Sequence, residues 1–314
     1  MLTLSDIRAA ALRIAPYIRR TPLLEGKALK QTPPSGTLWL KLEQLQVSGS
    51  FKARGAVNKL LSTPSEVLQR GVITASGGNH GLEVAYTGYL AGVPAYVYLP
   101  HNTPPSKAEK LRAWGAEVIH HGAVWDDANA AALERAEREG ITYIHPFADP
   151  AVIAGQGTLA LEVLEDLPQV DTILVAIGGG GLISGVGLAA KALKPTVRII
   201  GVEPVGAPTL KASLAANAVI TLPEIKTRAN TLAPRRSAPI NLEIIRQNVD
   251  DVVLVSDEAM LEAARWLWFE LGIAAELSGA AATAALLSGI YLPRPEENVC
   301  ALICGAGVDG VSFS

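Results

Sequence analysis

A lysine in a loop of small residues is the first feature of this sequence that could do chemistry. Lys52 lies in the segment SGSFKARG, residues 48–55, where a glycine- and serine-containing turn leads into a helical pattern. A lysine at a helix start lies near the positive end of the dipole and can lose water, and both effects lower its pKa and favour a nucleophilic amine. The alternative is an ordinary exposed lysine in a first helical turn.

Two further loops have the composition of anion-binding sites. TASGGNHG, residues 74–81, follows an apolar stretch, and its main-chain N–H groups could face a carboxylate or phosphate with help from Ser76, Asn79 and His80. It could instead be a capped turn in which His80 is packed. IGGGGLISG, residues 177–185, places four consecutive glycines after an apolar stretch, which favours phosphate binding by main-chain amides.

A nucleotide-binding site is the competing interpretation of this region. Gly185, Gly187 and Ala190 fit a degenerate dinucleotide fingerprint, and Glu203 ends the next strand candidate. These glycines fall inside a predicted helix rather than at its turn, so the fingerprint is the weaker option.

The last loop, CGAGVDG, places Cys304 after an apolar stretch, where ligands of open α/β sheets bind. Cys300 is predicted to be buried and structural. A zinc site is not expected, because the cysteines have no second pair of suitable spacing, and His120 and His121 point to opposite sides of a strand.

The elements that must position these loops alternate in the manner of βαβ units and a parallel sheet. The strand candidates are residues 38–42, 72–75, 95–99, 117–120, 142–145, 172–177, 197–203, 251–255 and 299–303. The helix candidates are residues 5–15, 51–61, 104–113, 125–139, 151–166, 183–193, 257–271 and 278–287. The predicted caps are Ser5, Ser106 and Ser256, and the glycines predicted to end helices are Gly115, Gly140 and Gly272. So many strands predict two α/β units of unequal size.

Composition excludes several classes of protein. The 314 residues include 27 basic and 30 acidic side chains, so no positive excess is available for nucleic acid or an anionic membrane. The apolar stretch 173–190 is interrupted by glycines and is short for a membrane span. Two cysteines are too few for a disulfide scaffold, which favours a cytoplasmic protein.

Taken in order, the loops resemble the fold-type II family of pyridoxal phosphate enzymes, and within it the threonine/serine dehydratases. The resemblance covers almost the whole chain, through TPLLEGKAL, KLEQLQVSGSFKARGA, TASGGNHGLEVAY, AIGGGGLISG, GVEPVGAPTL, ELSGAAATAALL and CGAGVDG. It implies two doubly wound open-sheet domains with the cofactor in the cleft between them. The large domain would comprise residues 1–45 and 147–314, and the small one residues 46–146. A homodimer or homotetramer is expected.

The same resemblance implies a role for each loop. Lys52 should be linked to pyridoxal 5'-phosphate as a Schiff base, with Phe51 against the ring and Asn79 bonded to the ring hydroxyl. The phosphate should be held by the N–H groups of Gly178, Gly179, Gly180, Gly181 and Leu182. Cys304 should lie beside the pyridine nitrogen. The substrate carboxylate should be held by the loop of Ser76, Gly77, Asn79 and His80.

The implied reaction converts L-threonine or L-serine to a 2-oxo acid and ammonia, with Lys52 as the base that removes the α-proton. Ala53 is typical of dehydratases, and Gly77 stands where racemase relatives carry a serine acid/base, so racemisation is disfavoured. The chain has no counterpart of the regulatory domain of biosynthetic threonine deaminases, so feedback control by isoleucine is not expected.

Some positions depart from the family pattern. Gly307 replaces a common Asn, Leu277 replaces the proline of PSGA, and TRANTLAPRRS replaces ADGLA, which puts substrate preference in doubt. Some relatives bind a divalent cation through a Glu, a carbonyl and an Asp. Glu203 and Ala207 match, but Thr209 stands in the acidic position, so no metal is expected.

Three alternatives stay open. The first is dehydration of another β-hydroxy amino acid, such as 3-hydroxyaspartate or a phenylserine. The second is an amino-acid racemase. The third is a nucleotide-binding α/β protein without covalent chemistry, in which Lys52 would be dispensable.

Overall fold

The structure is a computed structural model that describes residues 2–32 and 35–311. Its strands are β1 (Leu23–Glu25), β2 (Thr37–Lys41), β3 (Val72–Ala75), β4 (Ala95–Leu99), β5 (Glu117–His120), β6 (Thr142–Tyr143), β7 (Thr172–Ala176), β8 (Arg198–Pro204), β9 (Asp251–Val255) and β10 (Asn298–Leu302). Its α-helices are α1 (Leu4–Ile14), α2 (Lys52–Ser62), α3 (Ser65–Leu68), α4 (Asn79–Ala91), α5 (Pro105–Ala113), α6 (Trp125–Glu139), α7 (Pro150–Asp166), α8 (Gly181–Leu193), α9 (Thr209–Ala215), α10 (Pro239–Asn248), α11 (Asp257–Leu271) and α12 (Leu277–Leu287).

The strands form two open sheets, as predicted. The larger sheet has six strands in the order β1-β2-β10-β7-β8-β9, and the smaller has four in the order β5-β4-β3-β6. All neighbouring strands pair in parallel except β1, which pairs with β2 in antiparallel fashion. The smaller sheet lies inside the predicted inserted unit 46–146, while the exact domain boundaries stay a prediction.

The central strands are apolar because both of their faces are covered. Every residue of β3 and of β7 is buried, and helix α12 packs across β7, β8, β9 and β10. Each fully buried Val, Ile or Leu side chain contributes about 1.5–3 kcal/mol through removal of apolar surface from water. The continuous apolar runs therefore define the sheets, as expected for parallel strands.

Local end signals were predicted less well than the elements themselves. The predicted cap Ser5 is wrong, because Thr3 caps α1: its Oγ1 accepts the N–H of Asp6 at 3.4 Å, and the Asp6 carboxylate accepts the N–H of Thr3 at 2.8 Å. The predicted cap Ser106 is also wrong, because α5 begins one residue earlier with Pro105, whose missing N–H needs no cap. Ser256 caps α11 as predicted.

The glycines predicted to end helices do so in the left-handed conformation, with φ values of 83°, 66° and 66° for Gly115, Gly140 and Gly272.

The strand predicted over residues 142–145 ends at Tyr143, which leaves His145 in the following loop. Helices α3, α9 and α10 and the short edge strand β1 were not predicted.

The topology brings several loops to the carboxyl edges of the sheets. Strands β7 and β10 are parallel neighbours, so the glycine loop after β7 and the Cys304 loop after β10 lie side by side. Strands β3 and β6 are likewise neighbours, which places the Asn79 loop beside the segment that contains His145. Among the described residues, no helix combines the length and apolar character that crossing a membrane requires.

Candidate active site

Lys52 is the first residue of α2, and its ammonium group points into the protein. Nζ donates a hydrogen bond to the Pro146 carbonyl at 2.6 Å and lies 5.1 Å from the centroid of the Phe51 ring. Burial lowers the pKa of Lys52 to about 8. A buried amine with no carboxylate partner is poised to lose its proton.

Gly178, Gly179 and Gly180 follow β7 and lead into the first turn of α8. The N–H groups of these glycines, and those of Gly181 and Leu182, donate to no acceptor within residues 2–32 and 35–311. Because free amides at a helix start carry partial positive charge, they form a concave site for an anion.

Phe147 explains why this loop is built from glycine. A Cβ atom added to Gly179 would lie 2.2 Å from the Phe147 ring, so a side chain has no space there. Ser237 supports the loop from the other side, since its hydroxyl donates to the Gly179 carbonyl at 2.8 Å. Phe147 and Ser237 were not identified from the sequence, because each reaches the loop from a distant part of the chain.

His145 contacts Phe147, which packs against the glycine loop, and was likewise not identified. Its Nδ1 accepts the N–H groups of Phe147 and Ala148 at 3.1 and 2.8 Å, and its ring packs edge-on against Phe147. Burial and the neighbouring Lys52 lower the pKa of His145 to about 4. The imidazole is therefore neutral near pH 7 and adds no charge beside Lys52.

The loop before α4 offers a second set of free amides. The N–H groups of Asn79 and His80, in the first turn of α4, have no acceptor among the residues that the structure describes. Ser76 shapes the loop by accepting the Gly78 N–H at 3.3 Å. Gly77 and Gly78 line a cleft of about 430 Å³, together with Thr231, Glu276 and Leu277. The loop is thus able to bind a carboxylate through its main chain.

The prediction that the His80 side chain helps to bind an anion needs a correction. The ring is buried, and Nε2 lies 2.9 Å from the carbonyl oxygen of Ile144. Burial lowers the pKa of His80 to about 3, so the ring stays neutral. The packed alternative describes this side chain, and only the main-chain N–H of His80 faces the loop.

Glu276 faces Asn79 across the cleft and was given no role from the sequence. Its Oε1 accepts the Asn79 amide at 2.8 Å and the Thr231 hydroxyl at 3.4 Å. Burial raises the pKa of Glu276 above its ordinary value. One signal was present, because Glu276 immediately precedes α12 in the ELSGA segment.

Leu277, which stands in place of the proline of PSGA, forms a hydrogen bond that a proline could not form. The Leu277 N–H, which a proline would lack, donates to the Asp309 carboxylate at 2.8 Å. This bond ties the start of α12 to the loop after β10 and so closes one side of the cleft.

The two cysteines are both buried, and they differ in position. Cys300 lies inside β10, as predicted for a structural residue. Cys304 lies just beyond the strand, where its thiol donates to the Ser278 carbonyl at 3.4 Å. Burial raises the pKa of Cys304 well above its ordinary value, so the group is a neutral thiol.

The residues of the nucleotide fingerprint are used for packing instead. Gly185 lies inside α8, where an added Cβ would be 2.4 Å from the Ile153 carbonyl of α7. The Glu203 carboxylate accepts the N–H groups of Leu210 and Lys211 at 2.7 and 2.9 Å. Ala207 is buried beside the same turn. Within the part of the chain that the structure describes, no cluster of three or more His, Cys, Asp or Glu residues could hold a metal ion.

Comparison with known proteins places this site in context. Residues 14–305 match the family described as pyridoxal-phosphate dependent enzymes. The chain is 41% identical over 314 residues to an L-threonine ammonia-lyase of Geobacter sulfurreducens, covering 100% of this chain and 78% of that protein. It is 39% identical over 308 residues to a serine racemase of Oryza sativa subsp. indica, covering 97% and 90% of the two chains. The crystal structure of a threonine deaminase from T.th. superposes with a TM-score of 0.91 at 39% identity, covering 99% of each chain.

Proposed function

Because the chain belongs to the family of pyridoxal-phosphate dependent enzymes, we propose that it is an ammonia-lyase acting on L-threonine and L-serine. The observation that carries this proposal is the joining of two features by the segment Pro146–Phe147. The Lys52 amine, which has no carboxylate partner, donates to the Pro146 carbonyl, and the adjacent Phe147 packs against a glycine loop whose amides are free to bind phosphate. The relatives named above as an L-threonine ammonia-lyase and a threonine deaminase support the substrate class.

The residues present fit pyridoxal phosphate. The free N–H groups from Gly178 to Leu182 match a phosphate group, and Phe147 leaves no space for a side chain at Gly179. Lys52 supplies the amine that an aldehyde requires, and the neutral Cys304 thiol suits a pyridine nitrogen that stays unprotonated. Asn79, bonded here to Glu276, is the proposed partner of the ring hydroxyl.

In the proposed reaction the bound cofactor supplies an electron sink that acidifies the α-C–H bond of an amino acid. Lys52 then takes up the α-proton at Nζ, and a pKa of about 8 leaves part of this amine uncharged at neutral pH. The amides of Asn79 and His80 hold the substrate carboxylate, so the α-carbon is oriented without a charged side chain. The β-hydroxyl leaves with one proton as water, and hydrolysis of the resulting enamine by one water molecule gives the 2-oxo acid and ammonia.

The surroundings of Gly77 favour elimination over racemisation. Racemisation needs a second acid/base group on the face opposite Lys52. Gly77 itself carries no side chain that could deliver a proton. A Cβ added there would meet methyl carbons of Leu99 and Thr103 at 3.3 Å each and the Cδ atom of Lys107 at 3.7 Å.

A panel of β-hydroxy amino acids tests the proposal. Purified protein supplied with pyridoxal phosphate should acquire visible absorbance and release 2-oxo acid and ammonia from L-threonine and L-serine. Chiral analysis of residual serine measures racemisation, and 3-hydroxyaspartate and phenylserine cover the other dehydratase activities. A colourless protein that binds NAD in calorimetry, and releases no 2-oxo acid from any of these substrates, would overturn the proposal in favour of a nucleotide-binding function.

We further propose a homodimer or homotetramer in the cytoplasm, an expectation drawn from the family resemblance and the low cysteine content. Sedimentation velocity of the purified protein tests the assembly. A monomer at all concentrations would contradict it.

A further inference from the structure

Glu83 is a buried carboxyl group to which the proposed reaction gives no role. It lies in α4, one turn after Asn79, and is 0% exposed. Its Oε1 accepts hydrogen bonds from the hydroxyl groups of Ser48 and, at 3.4 Å, Ser50. Its Oε2 has no hydrogen-bond partner among the described residues. A half-satisfied carboxyl group destabilises an ordinary core, so its presence calls for a functional explanation.

The two serines that contact Glu83 belong to the turn that presents Lys52. Ser48 has φ = 58°, a left-handed conformation that residues with a Cβ rarely adopt, so the turn needs support. Ser50 also accepts the Lys52 N–H, at 3.4 Å, and so connects the turn to the first residue of α2. The Glu83 carboxyl group is therefore two hydrogen bonds away from the main chain of Lys52.

Backbone bonds hold the opposite side of the turn. The Ala306 N–H donates to the Gly49 carbonyl at 2.8 Å, and the Phe51 N–H donates to the Cys304 carbonyl at 3.2 Å. These bonds fix the turn to the loop after β10 but leave its α4 side open. The side chain of Glu83 closes that side.

We propose that Glu83 is a positioning residue for Lys52: its carboxyl group clamps the Ser48–Ser50 turn and fixes the backbone from which the lysine reaches the cofactor. This inference rests on the proposed function, in which Lys52 carries the chemistry. Glu83 also connects the proposed substrate-binding loop with the Lys52 turn, since α4 begins at that loop and its Glu83 side chain bonds the turn.

Burial favours the neutral form of the Glu83 carboxyl group. No Lys, Arg or His side chain forms an ion pair with Glu83 within the described ranges. The charged groups that act on it are Lys52 of α2 and Glu43, from the turn that follows β2, and burial raises its pKa well above the ordinary value. A neutral group leaves the amine of Lys52 free to lose its proton, whereas a carboxylate would stabilise the ammonium form.

Three variants of the cofactor-loaded full-length protein test the clamp. Glu83→Gln keeps a neutral group with an acceptor oxygen, Glu83→Leu removes the acceptor, and Thr87→Val removes another buried hydroxyl of α4 as a matched control. The readouts are kcat and KM for L-threonine, the pH midpoint of the visible absorbance, and hydrogen–deuterium exchange in residues 46–52. The exchange measurement does not depend on turnover.

The expected result separates the variants. Glu83→Leu should lower kcat by about ten- to a hundredfold, with KM within about threefold, and should speed exchange in the turn. Glu83→Gln should restore kcat and leave the pH midpoint unchanged, and Thr87→Val should alter neither kcat nor the exchange of the turn. If the leucine variant does not fold, Ser48→Ala removes the donor from the same hydrogen bond and should show the same losses.

Two results would overturn the clamp. One is wild-type kcat and exchange in a folded Glu83→Leu or Ser48→Ala protein. The other is a fall of the pH midpoint by about one unit or more in Glu83→Gln, because this would mean that Glu83 acts as a negative charge. A wild-type protein without visible absorbance would instead contradict the proposed function, and the exchange measurement would still decide whether Glu83 holds the turn.

Discussion

Two basic residues near the start of α2, the fully buried Arg54 and the half-buried Lys52, have opposite surroundings. Arg54 donates from Nε and Nη2 to the Glu43 carboxylate at 2.8 Å each, and from Nη1 to Glu162 at 2.7 Å. Lys41 completes this network, with its Nζ 2.6 Å from a Glu162 oxygen. Lys52, two residues before Arg54, donates from Nζ to only one carbonyl acceptor among the described residues, that of Pro146, and contacts the Phe51 ring.

The pKa values of Arg54 and Lys52 are therefore shifted in opposite directions. Burial by itself would lower the pKa of Arg54, but the Glu43 and Glu162 carboxylates outweigh burial and raise it. For Lys52 burial prevails, and the pKa falls to about 8. A buried cation with matched carboxylates keeps its charge and holds elements together, while a buried cation without them becomes a base or nucleophile. The helix thus combines an anchor and a reactive amine within one turn.

Replacing the reactive amine should have the largest effect on activity. Lys52→Ala removes both the proposed point of cofactor attachment and the proposed base, so turnover of L-threonine should fall at least about 1000-fold. Stability of the cofactor-free protein should not fall, because the amine that is removed is desolvated and has no carboxylate partner. Steady-state assays and urea unfolding measure the two quantities.

Full turnover in this variant would contradict the proposed role of Lys52. Lys59→Met, which alters a basic residue of the same helix outside the site, is the matched control and should retain activity.

Replacing Arg54 should have the opposite effect: stability should fall, while cofactor binding should persist. Arg54→Met leaves the buried Glu43 carboxylate without its cation, and loss of one partner of a buried pair costs about 3–5 kcal/mol of unfolding free energy. Urea unfolding of the cofactor-free protein measures this loss. The folded fraction should still take up pyridoxal phosphate, because Lys52 keeps its own contacts.

The companion variant Glu43→Gln with Arg54→Met removes charge from both partners. It should recover part of the lost stability. An Arg54→Met protein as stable as wild type would show that the network contributes nothing to the fold.

The comparison also predicts how cofactor uptake depends on pH. Only an uncharged amine attacks an aldehyde, so the rate of visible absorbance gain by cofactor-free protein should rise with pH, with a midpoint near the Lys52 pKa of about 8 rather than the ordinary 10.5. Between pH 7 and 10 the neighbouring His80 and His145 do not titrate, since their pKa values are about 3 and 4. The cofactor phosphate, with a second pKa of about 6, is also constant there. Stopped-flow measurement of a midpoint near 10 would show that Lys52 is not desolvated.

The positions of the functional loops could be predicted from the sequence, because each loop is marked by residues that adjoin it in the chain. Gly178 to Gly181 follow an apolar strand directly, and Lys52 and Asn79 stand at helix starts, so strand-end position could be inferred without three-dimensional contacts. The resemblance added their proposed roles. Parallel pairing of β7 with β10 then accounts for the two loops being neighbours.

The supporting residues could not be inferred in the same way. Phe147, Glu276 and Glu83 reach the site from a loop, the start of α12 and the interior of α4, and only the fold brings them to residues distant in sequence. The His80 side chain shows the reverse case. A polar residue in a functional motif can turn inward and bond a backbone carbonyl, and its position in the motif does not reveal this.

The third basic residue of α2, Lys59, should contribute less to stability than Arg54. Lys59 lies near the end of the helix, with Nζ 2.7 Å from the Asp149 carboxylate and side chains 25% and 17% exposed. Because water screens this pair and Asp149 also caps α7, Lys59→Met should cost only about 0.2–1 kcal/mol of unfolding free energy, with kcat unchanged. Urea unfolding beside Arg54→Met tests the ranking. A loss comparable to that of Arg54→Met would mean that pairing with a carboxylate, rather than burial of the pair, determines how strongly a cation anchors this helix.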